Sequence, residues 1–428
     1  MIPSMCTILK TSSFRPGSSA GQRVNGAERH DLPVLLKKVA GLAFALAVLS
    51  VIIHPVHAQE EKASEGITYK NDRIESVPWS VHVVKIARND PTLEVRSTLA
   101  KGTVLGLATL ANQALDIPFS TGTPLAGVNG DFYEREGSRY AGDPRGLQIV
   151  EGDLVSQPTG NSSYCAFWID AAGNPQVGDV TAQFKATFPD GTSVRFGLNE
   201  ERHSGDVVLF TPTLGRSTKA TGGQEIILER EDKSPWVPVG VGETYKARVR
   251  EISSTGNTKL DKSIVVLSFG TRAVTDVPPI NPGDFITISL ATTPDLRGAR
   301  SAISGGSIIT RGGKKAKIEK PTNSNSLNSY SVSSMFQRHP RSAVGFNKTH
   351  IYLVEVDGRQ RRLSVGMTLE ELGAYMARIG CDEAINLDGG GSATFWYRGR
   401  IVNSPCDGTD RAVANGLIAV RKAKVASK

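Results

Sequence analysis

Aromatic residues and cysteines are scarce in this sequence, and both shortages narrow what the protein can be. Only 6% of its 428 residues are aromatic, and its four cysteines include no C-x-x-C pair. A zinc site or a dithiol redox centre therefore has no support. No stripe of Lys and Arg interleaved with aromatic residues occurs either, so nucleic acid is not an expected partner.

Long apolar runs are also missing. The longest, residues 39–53, has 15 residues with one serine, which falls short of the roughly 20 residues that a membrane span needs. Lys37 and Lys38 precede the run, and Val56-His57-Ala58 follows it. This order predicts a secretory signal over residues 1–58, cleaved near Ala58, and a periplasmic or extracellular protein with no stable membrane span. An uncleaved membrane anchor is the alternative.

What the sequence does have is turn-forming residues, with 44 glycines and 22 prolines. Short alternating apolar runs fill about residues 182–298, and that spacing is typical of an all-β unit. We predict an α+β fold that is mostly β, with a mixed sheet, a few packed helices and this β-rich subdomain inserted into the main domain. Residues 59–74 are predicted to be a linker, and residues 75–422 the main domain.

Three local patterns predict individual elements. Thr368 and Glu371 form a capping-box pattern, and Gly380 is a natural stop, so a helix is expected between residues 368 and 380. Residues 146–155 alternate around Glu-Gly-Asp, which predicts a hairpin. Residues 104–115 also favour a helix, ended by Pro118.

Residues 384–395 combine candidate catalytic and binding groups in one short segment. An apolar run is followed there by Asp388, then by three glycines, and then by Ser392. Glycine lets other groups approach the main chain closely, so we expect several free N–H groups able to face an anion. No Lys-Ser/Thr pair follows, which excludes a P-loop, and the closing glycine of a nucleophile elbow is absent. A simple glycine-rich hairpin turn is the alternative.

A second segment repeats this logic. Asn129-Gly130-Asp131 follows an apolar run and has the same Asn-x-Asp spacing as Asn386-Leu387-Asp388. Asn-Gly-Asp is also ordinary turn chemistry, so a turn without a catalytic role remains open.

Three cysteines remain after the predicted signal, namely Cys165, Cys381 and Cys406. An exported protein permits disulfides, but an odd number leaves at least one thiol free or paired between chains. Cys381 and Cys406 bracket the glycine loop and are the expected pair.

Several motifs occur together in one order and resemble those of the phosphodiester glycosidase family, which has many exported bacterial members. The resemblance covers roughly residues 75–422. The motifs are Gly127-Val-Asn-Gly-Asp-Phe-Tyr133, His339-Pro-Arg341 with Ala343-Val-Gly345, Gly366-Met-Thr-Leu-Glu-Glu-Leu372, Asn386-Leu-Asp-Gly-Gly-Gly-Ser392 and Arg411-Ala-Val-Ala-Asn415.

The resemblance implies hydrolysis of a sugar-1-phosphodiester at the anomeric carbon, on a cell-envelope or exopolysaccharide glycan. Such chemistry needs carboxylates, a cationic phosphate clamp and groups that orient the sugar. The expected catalytic residues are Asp388, Asp131 and His339, the last as a general acid. The expected substrate-binding residues are Asn129, Arg145, Arg341, Asn386, Gly389, Gly390, Gly391, Ser392, Arg411 and Asn415.

Each assignment has a plainer alternative. An arginine is often an ion-pair partner, His339 before proline is often a structural donor, and Ser392 has no visible His-Asp partnership that would make it a nucleophile. No cofactor or metal is expected, although Asp131 and Asp388 suit Ca²⁺ or Mg²⁺. Two rival functions stay open: hydrolysis of ordinary glycosidic bonds in envelope polysaccharide, and a non-catalytic glycan-binding module.

Overall fold

Strands dominate the computed structural model, which describes residues 66–160, 164–318 and 332–424. The predicted signal at residues 1–58 lies outside these ranges. The described α-helices are α1 (Leu110–Leu115), α2 (Val332–Phe336) and α3 (Leu369–Arg378). The α+β, mostly β prediction is confirmed. No helix in the described ranges has the length and apolar character to cross a bilayer.

The largest sheet of the main domain has seven strands, all antiparallel to their neighbours. In spatial order they are β1 (Ile67–Ile74), β2 (Trp79–Ala87), β21 (His350–Val356), β20 (Arg341–Phe346), β22 (Glu383–Asn386), β18 (Ile308–Arg311) and β19 (Lys314–Lys315).

The first strand of this sheet corrects the predicted linker. Every residue of β1, from Ile67 to Ile74, is a Cα partner of a residue in β2. Ile67 is 1% exposed and packs in the core. The linker prediction is therefore wrong for these eight residues, because strand pairing and the burial of Ile67 outweigh the polar composition around them.

Two five-stranded antiparallel sheets complete the main domain. One contains β24 (Arg400–Ile401), β23 (Phe395–Tyr397), β4 (Gly122–Asn129), β25 (Asn415–Lys422) and β3 (Leu93–Leu99). The other contains β6 (Asp153–Ser156), β5 (Gln148–Val150), β17 (Ser301–Ser304), β7 (Ala166–Ile169) and β8 (Pro175–Gly178). Strands β5 and β6 are the hairpin predicted at residues 146–155.

An eight-stranded sheet occupies the stretch from Thr181 to Thr293, close to the predicted insert at about 182–298. Its strands are antiparallel except for one parallel pair, β11 with β12. In spatial order they are β10 (Ser193–Arg195), β9 (Thr181–Thr187), β16 (Phe285–Thr293), β14 (Thr244–Ser253), β13 (Gln224–Arg230), β15 (Ile264–Phe269), β12 (Val207–Phe210) and β11 (Gly197–Leu198).

The core of the main domain lies between the seven-stranded sheet and the two five-stranded sheets. Val84 and Leu353 of the large sheet share a buried cluster with Val128, Phe395 and Leu417 of one small sheet. Alternate residues of the large sheet face the other way and pack under α3. Both faces of the large sheet are therefore buried, which fixes the register of its strands.

Helix α3 forms as its sequence predicts. The Thr368 side chain accepts a hydrogen bond from the Glu371 N–H, and the Glu371 side chain caps the Thr368 N–H in return. Leu369, Leu372 and Met376 are all fully buried on one face, and each such side chain stabilises the fold by about 1.5–3 kcal/mol. By contrast, the helix predicted at residues 104–115 begins only at Leu110, because Thr109 caps it.

The cysteines do not form the expected disulfide. Within the described residues, no disulfide joins Cys165, Cys381 or Cys406 to one another. Cys381 is fully buried at the start of β22, whereas Cys406 lies near Arg359 and the glycine loop that follows the end of β22. The length of β22 separates Cys381 from Cys406. The two sulfur atoms are therefore not close together, although the two residues flank the glycine loop in sequence.

Candidate active site

The two Asn-x-Asp segments meet where β4 and β22 end. Asn129 is the last residue of β4, and Asn386 is the last residue of β22. The Asp388 N–H donates to the Gly130 carbonyl at 2.9 Å, and the Asn129 amide donates to the Asp388 carbonyl at 2.8 Å. The sheet topology thus joins two segments that lie far apart in sequence.

Buried asparagine amides hold this junction. Asn129 Oδ1 accepts hydrogen bonds from the Ser342 hydroxyl at 2.5 Å and from the Thr394 N–H at 3.1 Å. Asn415 Oδ1 accepts from the Asp131 N–H at 2.8 Å, while its amide donates to Gln148 at 2.9 Å. These contacts orient the main chain that carries the carboxylates, so both amides serve as supports.

Asn386 makes a more local contact. Its amide donates to the Leu387 carbonyl at 2.6 Å, and the residue is 1% exposed. This bond fixes the main chain just before Asp388.

Asp131 is almost completely buried, with 2% of its surface exposed. Its Oδ1 accepts from the Phe132 N–H at 2.7 Å, and its Oδ2 accepts from the Gly146 N–H at 2.8 Å. Burial raises the pKa of Asp131 to about 8, against the lowering effect of these two N–H groups. The charge of Asp388 adds to the rise. Near neutral pH this carboxyl group therefore holds a proton in much of the population.

Asp388 has a different environment and is partly exposed. Its Oδ1 accepts from the Gly389 N–H at 2.8 Å. Burial of the carboxyl raises its pKa, while a hydrogen bond with Ser392, the Gly389 N–H and the charges of Arg411 and Arg135 lower it. Asp388 thus has more groups that stabilise its charged form than Asp131 has.

The glycine loop packs more tightly than the sequence suggested. The N–H groups of Gly389, Gly390 and Ser392 donate to Asp388 Oδ1, the Pro340 carbonyl and the Gly389 carbonyl respectively. The expectation of free N–H groups is therefore wrong for these three residues, because Asp388 and Gly389 of the loop and Pro340 from a distant segment accept their hydrogen bonds.

Glycine is required in this loop for two separate reasons. Gly390 has a φ of +62°, a conformation that other residues adopt at a cost. A Cβ at Gly391 would collide with the Arg411 guanidinium and the Asp407 carboxylate. The loop sequence thus allows an ion pair to lie directly against the main chain.

The three candidate clamp arginines have different surroundings. Arg341 is 4% exposed, and its guanidinium donates to the main-chain carbonyls of Met367 at 2.9 Å, Gln337 at 3.0 Å and Ser334 at 2.5 Å. These contacts link the end of α2 to the start of β20, which favours a structural role. Phosphate binding by Arg341 stays a prediction.

Arg411 is the candidate closest to Asp388. Its Nη1 lies 3.5 Å from the Ser392 hydroxyl, and its Nη2 pairs with Asp407 at 2.5 Å. Arg145 pairs with Glu134 at 2.5 Å, and its buried Nε has no hydrogen-bond partner. Only Arg411 thus combines a partly exposed guanidinium with proximity to the loop.

His339 lies at the edge of this group rather than between the carboxylates. Its main chain pairs with Met367, and its Nδ1 lies 3.4 Å from the Arg359 guanidinium. Burial and the charges of Arg341 and Arg359 lower the pKa of His339. A neutral imidazole is a poor general acid, so these neighbours favour the structural alternative.

Four residues of the site were missed from the sequence. The charge of exposed Arg135 acts on Asp388, and Tyr133 hydrogen bonds with Ser392. Exposed Arg359 lies against Gly390, and Asp407 pairs with Arg411. Arg359 and Asp407 come from loops without a recognisable sequence pattern. Tyr133 and Arg135 follow Asp131 closely in sequence, and that proximity could have suggested a role for them.

A cavity of about 550 Å³ opens beside Arg145. Burial, followed by nearby carboxylates, raises the pKa of Asp143 well above its ordinary range, and that of Glu200 to about 7. Main domain and insert both contribute acidic side chains to its wall: Glu134, Asp143, Glu200, Glu201 and Asp206. Such a wall repels phosphate but accepts hydroxyl or cationic groups.

Among the residues that the structure describes, Asp131 and Asp388 do not belong to a group of three or more His, Cys, Asp or Glu side chains close enough to share a metal ion. Within the described ranges, the group of three or more His, Cys, Asp or Glu residues close enough to share an ion is His82, Glu355 and Asp357.

Comparison with known proteins finds a family model that covers part of the chain. Residues 240–420 match the model of the phosphodiester glycosidase family. The matched range contains Asp388, Arg341 and Arg411 but not Asp131, which the fold brings to the same place.

Individual relatives match over short segments. A bovine (Bos taurus) N-acetylglucosamine-1-phosphodiester alpha-N-acetylglucosaminidase is 34% identical over 114 residues, which are 26% of this chain and 20% of the bovine protein. The prophage-derived uncharacterized protein YomE of Bacillus subtilis is 37% identical over 81 residues, which are 19% of this chain and 12% of YomE. The chain thus matches a minor part of each relative's length.

Two solved structures share the fold. A hypothetical protein from Synechocystis aligns with a TM-score of 0.64 at 19% identity, over 83% of this chain and 62% of that one. The Burkholderia pseudomallei protein BPSS2145, described as a predicted exported protein, aligns with a TM-score of 0.61 at 21% identity, over 80% of this chain and 74% of that one.

Proposed function

We propose that this protein is an exported phosphodiester glycosidase that cleaves a sugar-1-phosphodiester in a cell-envelope or exopolysaccharide glycan. The observation that carries the proposal is the junction of Asp131 and Asp388 at the ends of two strands, with Arg411 beside Ser392. The family match over residues 240–420 supports the reaction class.

Asp388 is the carboxylate that acts on the anomeric carbon. Burial raises the pKa of Asp388, but Ser392, Gly389 and the nearby arginines stabilise its ionised form. Of the two carboxyl groups, Asp388 therefore carries the negative charge, whereas Asp131, with a pKa of about 8, keeps its proton. Two neighbouring carboxyl groups that share one proton are a common arrangement, since like charges at short range cannot both ionise easily. Asp388 either attacks the sugar or activates a water molecule.

Arg411 binds the phosphate, with exposed Arg135 and Arg359 adding positive charge at the mouth of the site. A phosphomonoester is a good leaving group, so the enzyme needs charge stabilisation more than a strong general acid. The acidic cavity beside Arg145 then holds the hydroxyl-rich or cationic part of the substrate, because its carboxylates repel phosphate.

One observation favours a second function, the hydrolysis of ordinary glycosidic bonds. Such a bond has a poor leaving group and needs a carboxylic acid protonated at working pH. Asp131, with a pKa of about 8, meets that requirement. Its 2% exposure counts against direct contact with a substrate.

Export is supported by the signal-like order of residues 37–58 and by the description of the Burkholderia protein that shares the fold. The glycan of a cell envelope or an exopolysaccharide is the substrate that such a location offers.

The test is a substrate comparison with the purified full chain. We expect sugar-1-phosphodiesters, offered as both anomers, to release free reducing sugar, and plain glycosides of the same sugars to stay intact. Asp388→Asn should abolish the release.

Asp153→Asn is the matched control. Asp153 is 7% exposed, and its carboxylate accepts hydrogen bonds from Thr213 and the Val239 N–H, outside the candidate site. Its activity should remain. Equal hydrolysis of glycosides would favour the second function, and binding of glycans without any turnover would favour the non-catalytic module.

A further inference from the structure

A second polar cluster lies in the core and contains none of the groups that the proposed reaction uses. His82 of β2 and Glu355 of β21 are Cα partners, and Asp357 follows two residues later. Their exposures are 3%, 0% and 1%. Because the neighbouring Val84 and Leu353 pack between the sheets, His82 and Glu355 also face that interior.

The buried carboxyl group of Glu355 lacks a compensating charge. Neither of its oxygens has a partner at ordinary hydrogen-bond distance and angle, and the side-chain hydrogen bond that Asn403 offers falls outside that geometry. Within the described chain no Lys or Arg forms an ion pair with Glu355 or Asp357. A buried carboxylate without a partner is costly, so something must compensate it.

The three side chains form a donor set for a metal ion. One ligand atom from each lies within 4.8 Å of the others. His82 Nε2 and Asp357 Oδ2 are already 3.2 Å apart, which is close to the spacing of two ligands whose bonds to one ion are about 2.0–2.2 Å. Imidazole with carboxylates suits Zn²⁺ or Mn²⁺ better than Ca²⁺, which prefers oxygen ligands alone.

Neighbouring groups already orient two of the three ligands. Tyr69 Oη lies 2.8 Å from His82 Nδ1, so a proton on Nδ1 can be donated to Tyr69 while Nε2 keeps its lone pair. The Asn71 amide nitrogen, 3.2 Å from Nε2, is the group that an ion would displace. Asp357 Oδ1 accepts from the Ser404 N–H at 2.7 Å, which leaves Oδ2 for the cluster. Such outer hydrogen bonds are typical of metal ligands.

We propose that His82, Glu355 and Asp357 form a buried site for one divalent transition cation, of the Zn²⁺ or Mn²⁺ type. The two carboxylates supply a charge that such a cation neutralises, and the cation supplies the partner that Glu355 lacks. Because the site is enclosed, the ion enters during folding.

The site also connects to the candidate active site. Glu355 is the Cα partner of Ser342 in β20, and the Ser342 hydroxyl donates to Asn129. Asn129 in turn holds the Asp388 carbonyl. The ion therefore stabilises the sheet that carries this support without contacting the substrate.

The probe is Co²⁺, which replaces Zn²⁺ and absorbs visible light when bound by nitrogen and oxygen ligands. The full chain is produced in metal-defined medium with or without cobalt chloride, desalted, and analysed by elemental mass spectrometry. We expect about one cobalt per chain, a visible d–d absorption band, and a higher unfolding temperature than that of the protein made without added metal.

Glu355→Gln and Asp357→Asn should lose the cobalt and the band. Glu225→Gln is the matched control, because Glu225 is also 0% exposed but has hydrogen bonds to Thr218 and Thr258; it should keep both signals. Circular dichroism confirms folding of each variant. Two results would overturn the proposed metal site: wild-type protein that binds no cobalt, or a Glu355→Gln variant that still binds one cobalt per chain. The first result would mean that Glu355 is protonated instead of metal-bound.

Discussion

Asp131 and Asp388 each follow a strand that ends in asparagine, yet their carboxylates meet different surroundings. Asp131 is 2% exposed and has an N–H donor on each oxygen. Asp388 is partly exposed, with Ser392 and the charges of Arg411 and Arg135 around it. The same spacing therefore gives an internal support in one segment and a group able to meet a substrate in the other.

The comparison teaches that spacing locates a carboxylate, whereas its neighbours decide what it does. The carboxyl group of Asp131 accepts hydrogen bonds only from nearby main-chain N–H groups, so its loss should lower the free energy of unfolding. Asp388 has one such hydrogen bond and several charged neighbours, so its loss should lower the rate of the reaction. The following predictions separate the two cases.

The largest effect is expected for Asp388→Asn. Asparagine keeps the shape and can still accept a hydrogen bond from the Gly389 N–H, but it carries no charge and is a poor base or nucleophile. We expect turnover of a phosphodiester substrate to fall by at least ~10²-fold, with a near-normal unfolding temperature and retained binding. Steady-state kinetics and thermal denaturation measure the two quantities. Near-wild-type turnover would remove Asp388 from the mechanism.

The arginines give the next largest contrast. Arg411→Lys removes the planar fork beside Ser392, and the loss of a charged hydrogen bond to phosphate, about 1.5–3 kcal/mol, should lower kcat/KM by about 10- to 100-fold. Its surface ion pair with Asp407 is worth only about 0–1 kcal/mol, so stability should change little.

Arg341→Lys is the matched variant and should behave in the opposite way. A lysine cannot satisfy the carbonyls of Met367, Gln337 and Ser334 together, and each buried carbonyl left without a donor costs about 1–3 kcal/mol. The unfolding temperature should therefore drop, while the folded fraction keeps its kcat. A large fall in kcat with unchanged stability would restore Arg341 as a phosphate ligand.

The parts of this structure that follow from local chemistry were predictable. The capping box at Thr368, the hairpin at residues 146–155 and the short strands of the insert all depend on neighbouring residues. Asp388 and Asp131 could be suspected together because both follow the same pattern. Free N–H groups in the glycine loop were wrongly expected, because the acceptor of the Gly390 N–H, the Pro340 carbonyl, comes from a distant segment.

Non-local contacts account for the remaining errors. The roles of Arg341 and Arg411 look alike in sequence, and only the three carbonyls around Arg341 distinguish them. Cys381 and Cys406 flank the loop in sequence but lie beyond different ends of β22. Glu355 and His82 carry no motif at all, since their proximity is created by the register of β2 and β21.

Asp131→Asn tests the other side of the comparison. An amide can accept only one of the two N–H bonds, from Phe132 or from Gly146, and the other donor is left facing an NH₂ group. We expect a loss of about 1–3 kcal/mol in the free energy of unfolding. Denaturant titration measures it, with Asp153→Asn as a second buried aspartate for calibration. An unchanged free energy would show that Asp131 is not a support.

The last signal is the drift of this penalty with pH. The pKa of Asp131 is raised in the folded state to about 8, so the folded state binds the proton more tightly than the unfolded chain does. The stability that this group contributes is fully present below its unfolded pKa, near 4, and is lost as the pH rises through about 8. Asparagine does not titrate. The difference in stability between the wild type and Asp131→Asn should therefore shrink from acid to alkaline pH, by at most about 1.4 kcal/mol per pH unit. Taking the difference between the two unfolding free energies cancels the contributions of the other buried carboxyl groups, because Asp143, Glu200 and Glu355 titrate in both proteins. A difference that grows with pH would mean that Asp131 is ionised throughout, and would make the two aspartates alike in charge after all.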